Sequence, residues 1–278
     1  MPRALYRYDA GRDNSGFALI IVLWALVLIA IIVAHLTATG RTEIRIANNI
    51  VGNSVAQAGA DGAIFEAIFN LSDPQPKQRW PVDGNTREVV IGDVRVTIRL
   101  DDEAWWINPS STSPGVLEAL LRVIGSDPES ARRLANAIGE WVGSAPVARP
   151  QDTVLAEYRA AGLDYRPPGS QLVTLDELSR VLGMTPEVLA AIRPHLTLFG
   201  PSQPSVATAD PIVAEALAEV AETTPAPSAD QPPPDVLTVR ITAAAFGPHD
   251  ARVTRCVIVR IGAVLPLGYE MLAWRNGS

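Results

Sequence analysis

From Phe17 to Ala34 the chain reads FALIIVLWALVLIAIIVA, eighteen consecutive residues without a charge or a strongly polar group. As a helix rising about 1.5 Å per residue this covers roughly 27 Å, enough to cross the hydrocarbon of a bilayer. A helix buried in a soluble core normally keeps one polar face; this run has none, which predicts a membrane-spanning helix. A basic start, with Arg3, Arg7 and Arg12, precedes it as in a secretory signal peptide. The run is longer than such a peptide needs, and Ala34-His35-Leu36 after it offers no A-x-A cleavage site, so the helix is expected to remain attached.

The rest of the 278 residues suffices for two modest folded units. A net charge of -7 opposes a phosphate backbone over most of the surface, which argues against nucleic acid as a partner. Cys256 is the only cysteine, so neither a disulfide scaffold nor a cysteine zinc cluster is possible. No G-x-S-x-G, Walker loop, H-E-x-x-H or C-x-x-C is present, and His35, His195 and His249 are far apart in sequence. No catalytic residue is assigned and the chain is not read as an enzyme.

Helical pattern continues past the apolar run to Phe69 and stops before Asp73-Pro74, with Ile44, Val51, Val55, Ala58, Ile64, Phe65 and Ile68 approximating one apolar face. A helix that is apolar throughout its first half and amphipathic in its second is expected to lay the second half on a sheet. That sheet begins with a hairpin, Arg87 to Ile91 and Val94 to Leu100 around Gly92-Asp93, in which apolar and polar residues alternate. Its remaining strands come much later: Val236 to Phe246, Ala251 to Ile261 and a last piece from Tyr269 to Arg275. Between them, from about Ala104 to Phe199, helix punctuation dominates. Asp127-Pro128-Glu129 opens one helix, Thr174-Leu175-Asp176-Glu177 is a capping box for a helix ending at Gly183, and Thr185-Pro186-Glu187 opens another. The acidic turn Asp101-Asp102-Glu103 is expected to be solvated. Trp105 and Trp106 are candidate anchors for a partner. TTPAPSADQPPP, residues 223–234, reads as an extended connection. The expected class is α+β: a long N-terminal helix packed on an antiparallel sheet that is interrupted by a large all-α insertion.

Ser15-Gly16-Phe17-Ala18-Leu19-Ile20, at the head of the apolar run, resembles the cleavage site of type IV pilins and pseudopilins. The resemblance implies cutting between Gly16 and Phe17 by a prepilin peptidase, with Phe17 becoming the N-methylated first residue. Most of that family carry a glutamate at the fifth mature position, where this chain has Ile21. A carboxylate inside a bilayer is costly without a partner, and a subunit with none above it in the filament needs none. Its absence is characteristic of type II secretion protein K. Further segments resemble that family in particular: Ile107-Asn108-Pro109, Leu134-Ala135-Asn136-Ala137-Ile138 with Glu140-Trp141, Tyr165-Arg166-Pro167-Pro168-Gly169, Leu182-Gly183-Met184-Thr185-Pro186 and Ala273-Trp274-Arg275.

The resemblance implies a pilin-like fold divided into a prepilin leader (1–16), a membrane-spanning half-helix (17–36), its amphipathic continuation (37–72), the first part of the sheet (73–103), an inserted helical domain (104–200), a helix with a Pro-rich linker (201–235) and the remaining strands (236–278). It implies a minor pseudopilin at the tip of the type II secretion pseudopilus, held by one span in the bacterial inner membrane with its C-terminal domain in the periplasm. The implied partners are the other minor pseudopilins, the major pseudopilin, the prepilin peptidase and the inner-membrane secretion platform. Members of the family bind calcium after the tryptophan; here only Asp152 and Glu157 lie near Trp141, too few oxygens for such a site, and no cofactor is assigned. The alternative function is a single-pass inner-membrane protein with a periplasmic binding domain, including a DNA receptor, because Gly183-Met184-Thr185-Pro186 also resembles a helix-hairpin-helix turn.

Overall fold

A computed structural model describes residues 14–75, 77–145, 149–208, 210–223 and 236–277, with side chains for all of these except 14–16, 18, 36–42 and 222–223. Most of the expected leader and the Pro-rich stretch from 224 to 235 lie outside the described residues. The longest element, α1, is one helix from Asn14–Leu71. Among the described residues no helix is long and apolar enough to cross a membrane. The described side chains from Phe17 to His35 are nevertheless all exposed, and apart from His35 they are those of the apolar run.

The second half of α1 packs on a five-stranded antiparallel sheet made of β1 (Thr86–Ile91), β2 (Val94–Asp102), β3 (Leu237–Phe246), β4 (Arg252–Ile261) and β5 (Tyr269–Asn276), in that spatial order. Alternation explains the packing: Val94, Val96, Ile98 and Leu100 of β2, with Val239, Ile241, Ala243 and Ala245 of β3 and Val257, Val259 and Ile261 of β4, all point at the helix and are buried. The helix face they meet matches the expected one only at Ile64 and Ile68. Ala56, Ala60, Ala63, Ile64, Ala67, Ile68 and Leu71 are buried, whereas Ile44, Val51, Ala58 and Phe65 are exposed and Val55 is at the border of exposure. The buried positions are mostly small because the axis runs very close to the sheet. A Cβ on Gly59 would lie 2.6 Å from Val94 Cγ1, and one on Gly52 would lie 2.5 Å from the carbonyl oxygen of Pro248.

Between β2 and β3 the chain builds a helical lobe from α2 (Pro114–Val123), α3 (Pro128–Val142), α4 (Gln151–Ala160), α5 (Pro186–Ile192) and α6 (Pro211–Thr223). Four of these begin alike, a short polar residue followed by proline: Ser113-Pro114, Asp127-Pro128, Thr185-Pro186 and Asp210-Pro211. Proline suits the first helical position, where no amide partner is needed. Asp127 Oδ1 accepts from Ser130 N at 3.0 Å, Thr185 Oγ1 from Val188 N at 3.3 Å, and Asp210 Oδ1 from Ile212 N at 3.0 Å. The lobe core reaches past residue 200, since Val213 and Ala216 of α6 are fully buried in it. One further expectation is corrected. The residues after Thr174 form a 3-10 helix, Leu175–Arg180, which stops before Gly183. Glu177 still accepts from Thr174 N at 3.0 Å, but Val181 turns to extended backbone and its side chain enters the lobe core.

Candidate functional site

The helical lobe joins the sheet through a narrow neck where the chain leaves β2 and where it comes back at residues 195–200. These two segments run side by side in parallel: Ile107 N donates to His195 O at 3.0 Å, and Thr197 N donates to Ile107 O at 2.9 Å. Asn108 fixes the crossing, because its amide donates to Gly200 O at 2.9 Å and Leu198 O at 3.2 Å while its Oδ1 accepts from Ser110 N. One buried asparagine therefore satisfies groups on both segments that would otherwise be orphaned. His195 Nδ1 lies 2.7 Å from Asp210 Oδ2, which links the neck to the cap of α6.

The acidic turn at the base of the neck is not solvated. Glu103 is completely buried and Asp101 almost so. Glu103 Oε1 accepts from Arg240 Nε at 2.7 Å, and its other oxygen accepts from the Thr197 hydroxyl. Arg240 comes from β3, Thr197 from the returning segment and Glu103 from the outgoing one, so a single carboxylate ties together three segments that are distant in sequence. The Arg240 guanidinium also lies 4.0 Å from the centroid of Trp106. Asp101 accepts from Arg99 Nε at 2.8 Å. Burial pushes the Asp102 carboxyl above its ordinary value, against the lowering effect of its hydrogen bond from Ala104 N.

The two tryptophans serve this junction. Trp105 is buried, its ring packed on the Gly84 backbone, and Trp106 is half-buried beneath Arg240. Gly16 and Phe17 lie in the first turns of α1, where the Phe17 ring is exposed, and Ile21 is 53% exposed one turn later.

Within the lobe, two motifs far apart in the chain meet. Trp141 at the end of α3, Tyr158 of α4 and Tyr165 form an edge-to-face aromatic cluster, with centroids 6.1 Å apart for Trp141 and Tyr165 and 5.7 Å for Tyr158 and Tyr165. Gly169 N donates to Trp141 O at 3.0 Å, and Gly143, at φ 76°, ends α3 where a side chain would strike the Gly169 carbonyl. Beside this cluster Arg149 sits between Glu140 and Glu157, 2.7 Å from Glu157 Oε1 and 2.9 Å from Glu140 Oε2. The two carboxylates hold its guanidinium firmly protonated. Asp152 and Glu157 do not fit a calcium ion. They stand five residues apart on α4, about 140° around the helix, and Glu157 is already neutralised by a fixed cation.

Sequence reasoning missed the Glu103–Arg240 pair, the inclusion of α6 in the lobe and the role of Arg149. Only α6 left a direct signal, the Asp210-Pro211 start followed by Ile212, Val213, Ala216 and Leu217 at helical spacing.

Comparison with known proteins agrees with this architecture. The family model for type II secretion system protein K matches residues 99–201, the span that opens with the end of β2 and closes at the neck. Type II secretion system protein K of Pectobacterium carotovorum subsp. carotovorum is 21% identical over 204 residues, an alignment covering 66% of this chain and 62% of the relative. In fold, the chain is similar to one in the crystal structure of the GspK-GspI-GspJ complex from the enterotoxigenic Escherichia coli type 2 secretion system, with a TM-score of 0.53 and 14% identity, over 86% of this chain and 99% of that one. By its motifs, its inserted lobe and these matches, the chain is similar to type II secretion system protein K, most directly over residues 99–201.

Proposed function

We propose that the protein is a minor pseudopilin that caps the type II secretion pseudopilus and starts its assembly, with no catalytic step of its own. The observation that carries this reading is the lobe. Inserted between neighbouring strands of the sheet and locked there by Glu103, Asn108 and Arg240, it is a rigid bulk beside the pilin-like body. Such a body has room at the end of a tightly wound filament and clashes within it. Ile21 agrees, since it supplies no carboxylate for the amine of a subunit above. The apolar first half of α1 is the inner-membrane anchor: its described side chains are exposed along the helix, as lipid-facing residues must be. After cleavage at Gly16 the subunit leaves the bilayer together with two other minor pseudopilins, as the composition of the GspK-GspI-GspJ complex suggests, and the C-terminal body stays in the periplasm.

The test is the intact mass and N-terminal sequence of membrane-extracted protein co-expressed with a prepilin peptidase. The expected result is a chain beginning with N-methylated Phe17. An intact leader, or cleavage after the apolar run, would leave an ordinary membrane anchor carrying a periplasmic binding domain.

A further inference from the structure

The face of the sheet turned away from α1 carries charge of the opposite sign to the chain as a whole. Its rows follow from the strand register. Arg95, Phe246 and Arg252 lie opposite one another across β2, β3 and β4. Two residues further along come Thr97, Ala244 and Thr254, and then Arg99, Thr242, Cys256 and, on β5, Arg275. Strands about 4.8 Å apart and residues about 3.3 Å apart set Arg95 roughly 10 Å from Arg252, Arg99 roughly 14 Å from Arg275, and the two arginine rows roughly 13 Å apart. The result is a platform of threonine, alanine, Cys256 and the exposed Phe246, framed by four exposed arginines.

Arg99 is shared with the nearly buried Asp101. Among the described residues Arg95, Arg252 and Arg275 have no carboxylate within ion-pair distance, and instead Arg252 stacks on Phe246 at 5.6 Å and Arg275 lies 6.0 Å from the Phe199 ring. Exposed Glu88 on the edge strand β1 is the one acid of these rows. The lobe reaches the far end of this face, where Asp176, Arg193 and Phe199 share a cleft with Arg240, Ile258 and Arg275, and leaves Arg95, Arg99 and Arg252 uncovered. In a chain of net charge -7, unpaired guanidinium groups gathered on one side of one sheet form a local field against the global one.

We propose that this face is a docking surface for an acidic folded protein, whose carboxylates meet Arg95, Arg252 and Arg275 while its surface lies against the threonine platform. The spacing selects this class of partner. Arg95, Arg252 and Arg275 stand on three different strands with backbone positions roughly 10 to 19 Å apart, a spread that matches carboxylates distributed over a protein surface better than one compact headgroup. The methyl groups of the threonines and alanines between them provide contact area that a headgroup would leave uncovered. The inference does not depend on the filament-tip reading, because it rests on charge and register alone.

The experiment uses the full-length protein in nonionic detergent and a fluorescein-labelled poly-L-glutamate peptide as the probe, with binding followed by anisotropy at low and raised salt. Two triple variants are compared, R95E/R252E/R275E on the platform and R132E/R133E/R159E on the exposed surface of the lobe. Both change the net charge equally, so only a local site separates them. The expected result is saturable binding weakened by salt, reduced roughly tenfold or more by the platform variant and little changed by the lobe variant. The milder R95Q/R275Q variant, checked by thermal melting, guards against misfolding and should show a smaller loss of the same kind. Absence of saturable binding at low salt, or equal loss in both triple variants, overturns the proposal. Binding of phosphatidylglycerol vesicles in preference to the peptide overturns it in favour of a membrane surface.

Discussion

Glu103 shows how one side chain can set the position of a whole lobe. A fully buried carboxylate is tolerated only when its oxygens are occupied, and here Arg240 and Thr197 occupy them. Replacing Arg240 by methionine removes the counter-charge and leaves the carboxylate inside. The expected loss is about 2–4 kcal/mol of stability in urea unfolding, partly recovered in an E103Q/R240M double variant that removes the charge as well. A loss below about 1 kcal/mol would transfer the locking role to Asn108 and the backbone bridge. This residue was illegible in the sequence. Asp101-Asp102-Glu103 looks like any solvated acidic turn, and the partners that reverse that reading, Thr197 and Arg240, lie 94 and 137 residues away.

At the scale of elements, the sheet was legible and the helix face only in part. Strands with one buried side announce themselves by alternation, and β2 with its hairpin partner does so residue by residue. In α1 Ile64 and Ile68 marked the buried side, but Ile44, Val51 and Phe65 drew the eye away from it, because most of its other positions are glycine and alanine. The close approach that this allows predicts that Gly52→Ala, which sets a Cβ against the Pro248 carbonyl, costs about 1–3 kcal/mol, while the exposed Ala58→Val stays within about 0.5 kcal/mol, both read from thermal or urea unfolding. The lobe's caps are a second case where the chain is explicit. Asp127 at the start of α3 has its pKa lowered by its hydrogen bonds with Ser130, so this carboxylate's contribution is present above its unfolded value of 3.8 and is lost as pH falls through the lower folded value. Asp102 has the opposite sign: burial raises its pKa, and acid relieves its cost. Thermal melts of Asp127→Asn should therefore show a shallower loss of stability below pH 3.8 than the parent chain, because the amide caps without titrating.

Over the whole molecule, what the sequence conveyed was the division of labour: an apolar helix, a sheet split in two and a helical insertion between its strands. The motifs that suggested the family are those the structure brings together, with Glu140-Trp141 against Tyr165 and Gly169, and Ile107-Asn108 at the neck. What it did not convey was which of those motifs touch, since contact between distant segments leaves no local pattern. The tip reading makes its prediction at this scale. Ile21→Glu places an unpartnered carboxylate in the apolar half of α1, and on the tip reading secretion by a strain carrying only this variant should fall, measured as exported protein in the medium. Unchanged secretion would remove Ile21 from the argument for the tip.

The parallel bridge between Ile107 and Leu196 also bears on how such a chain reaches its native state. β2 and β3 are neighbours in the sheet, yet the entire lobe separates them in sequence, and closing a long flexible loop is entropically costly. Once the lobe is formed, its own neck holds the outgoing and returning segments together, and α6 is fastened to its core. The loop left to close then shrinks to the stretch between Thr223 and Leu237, so that the insertion, far from obstructing the sheet, acts as the splint on which its two halves are aligned.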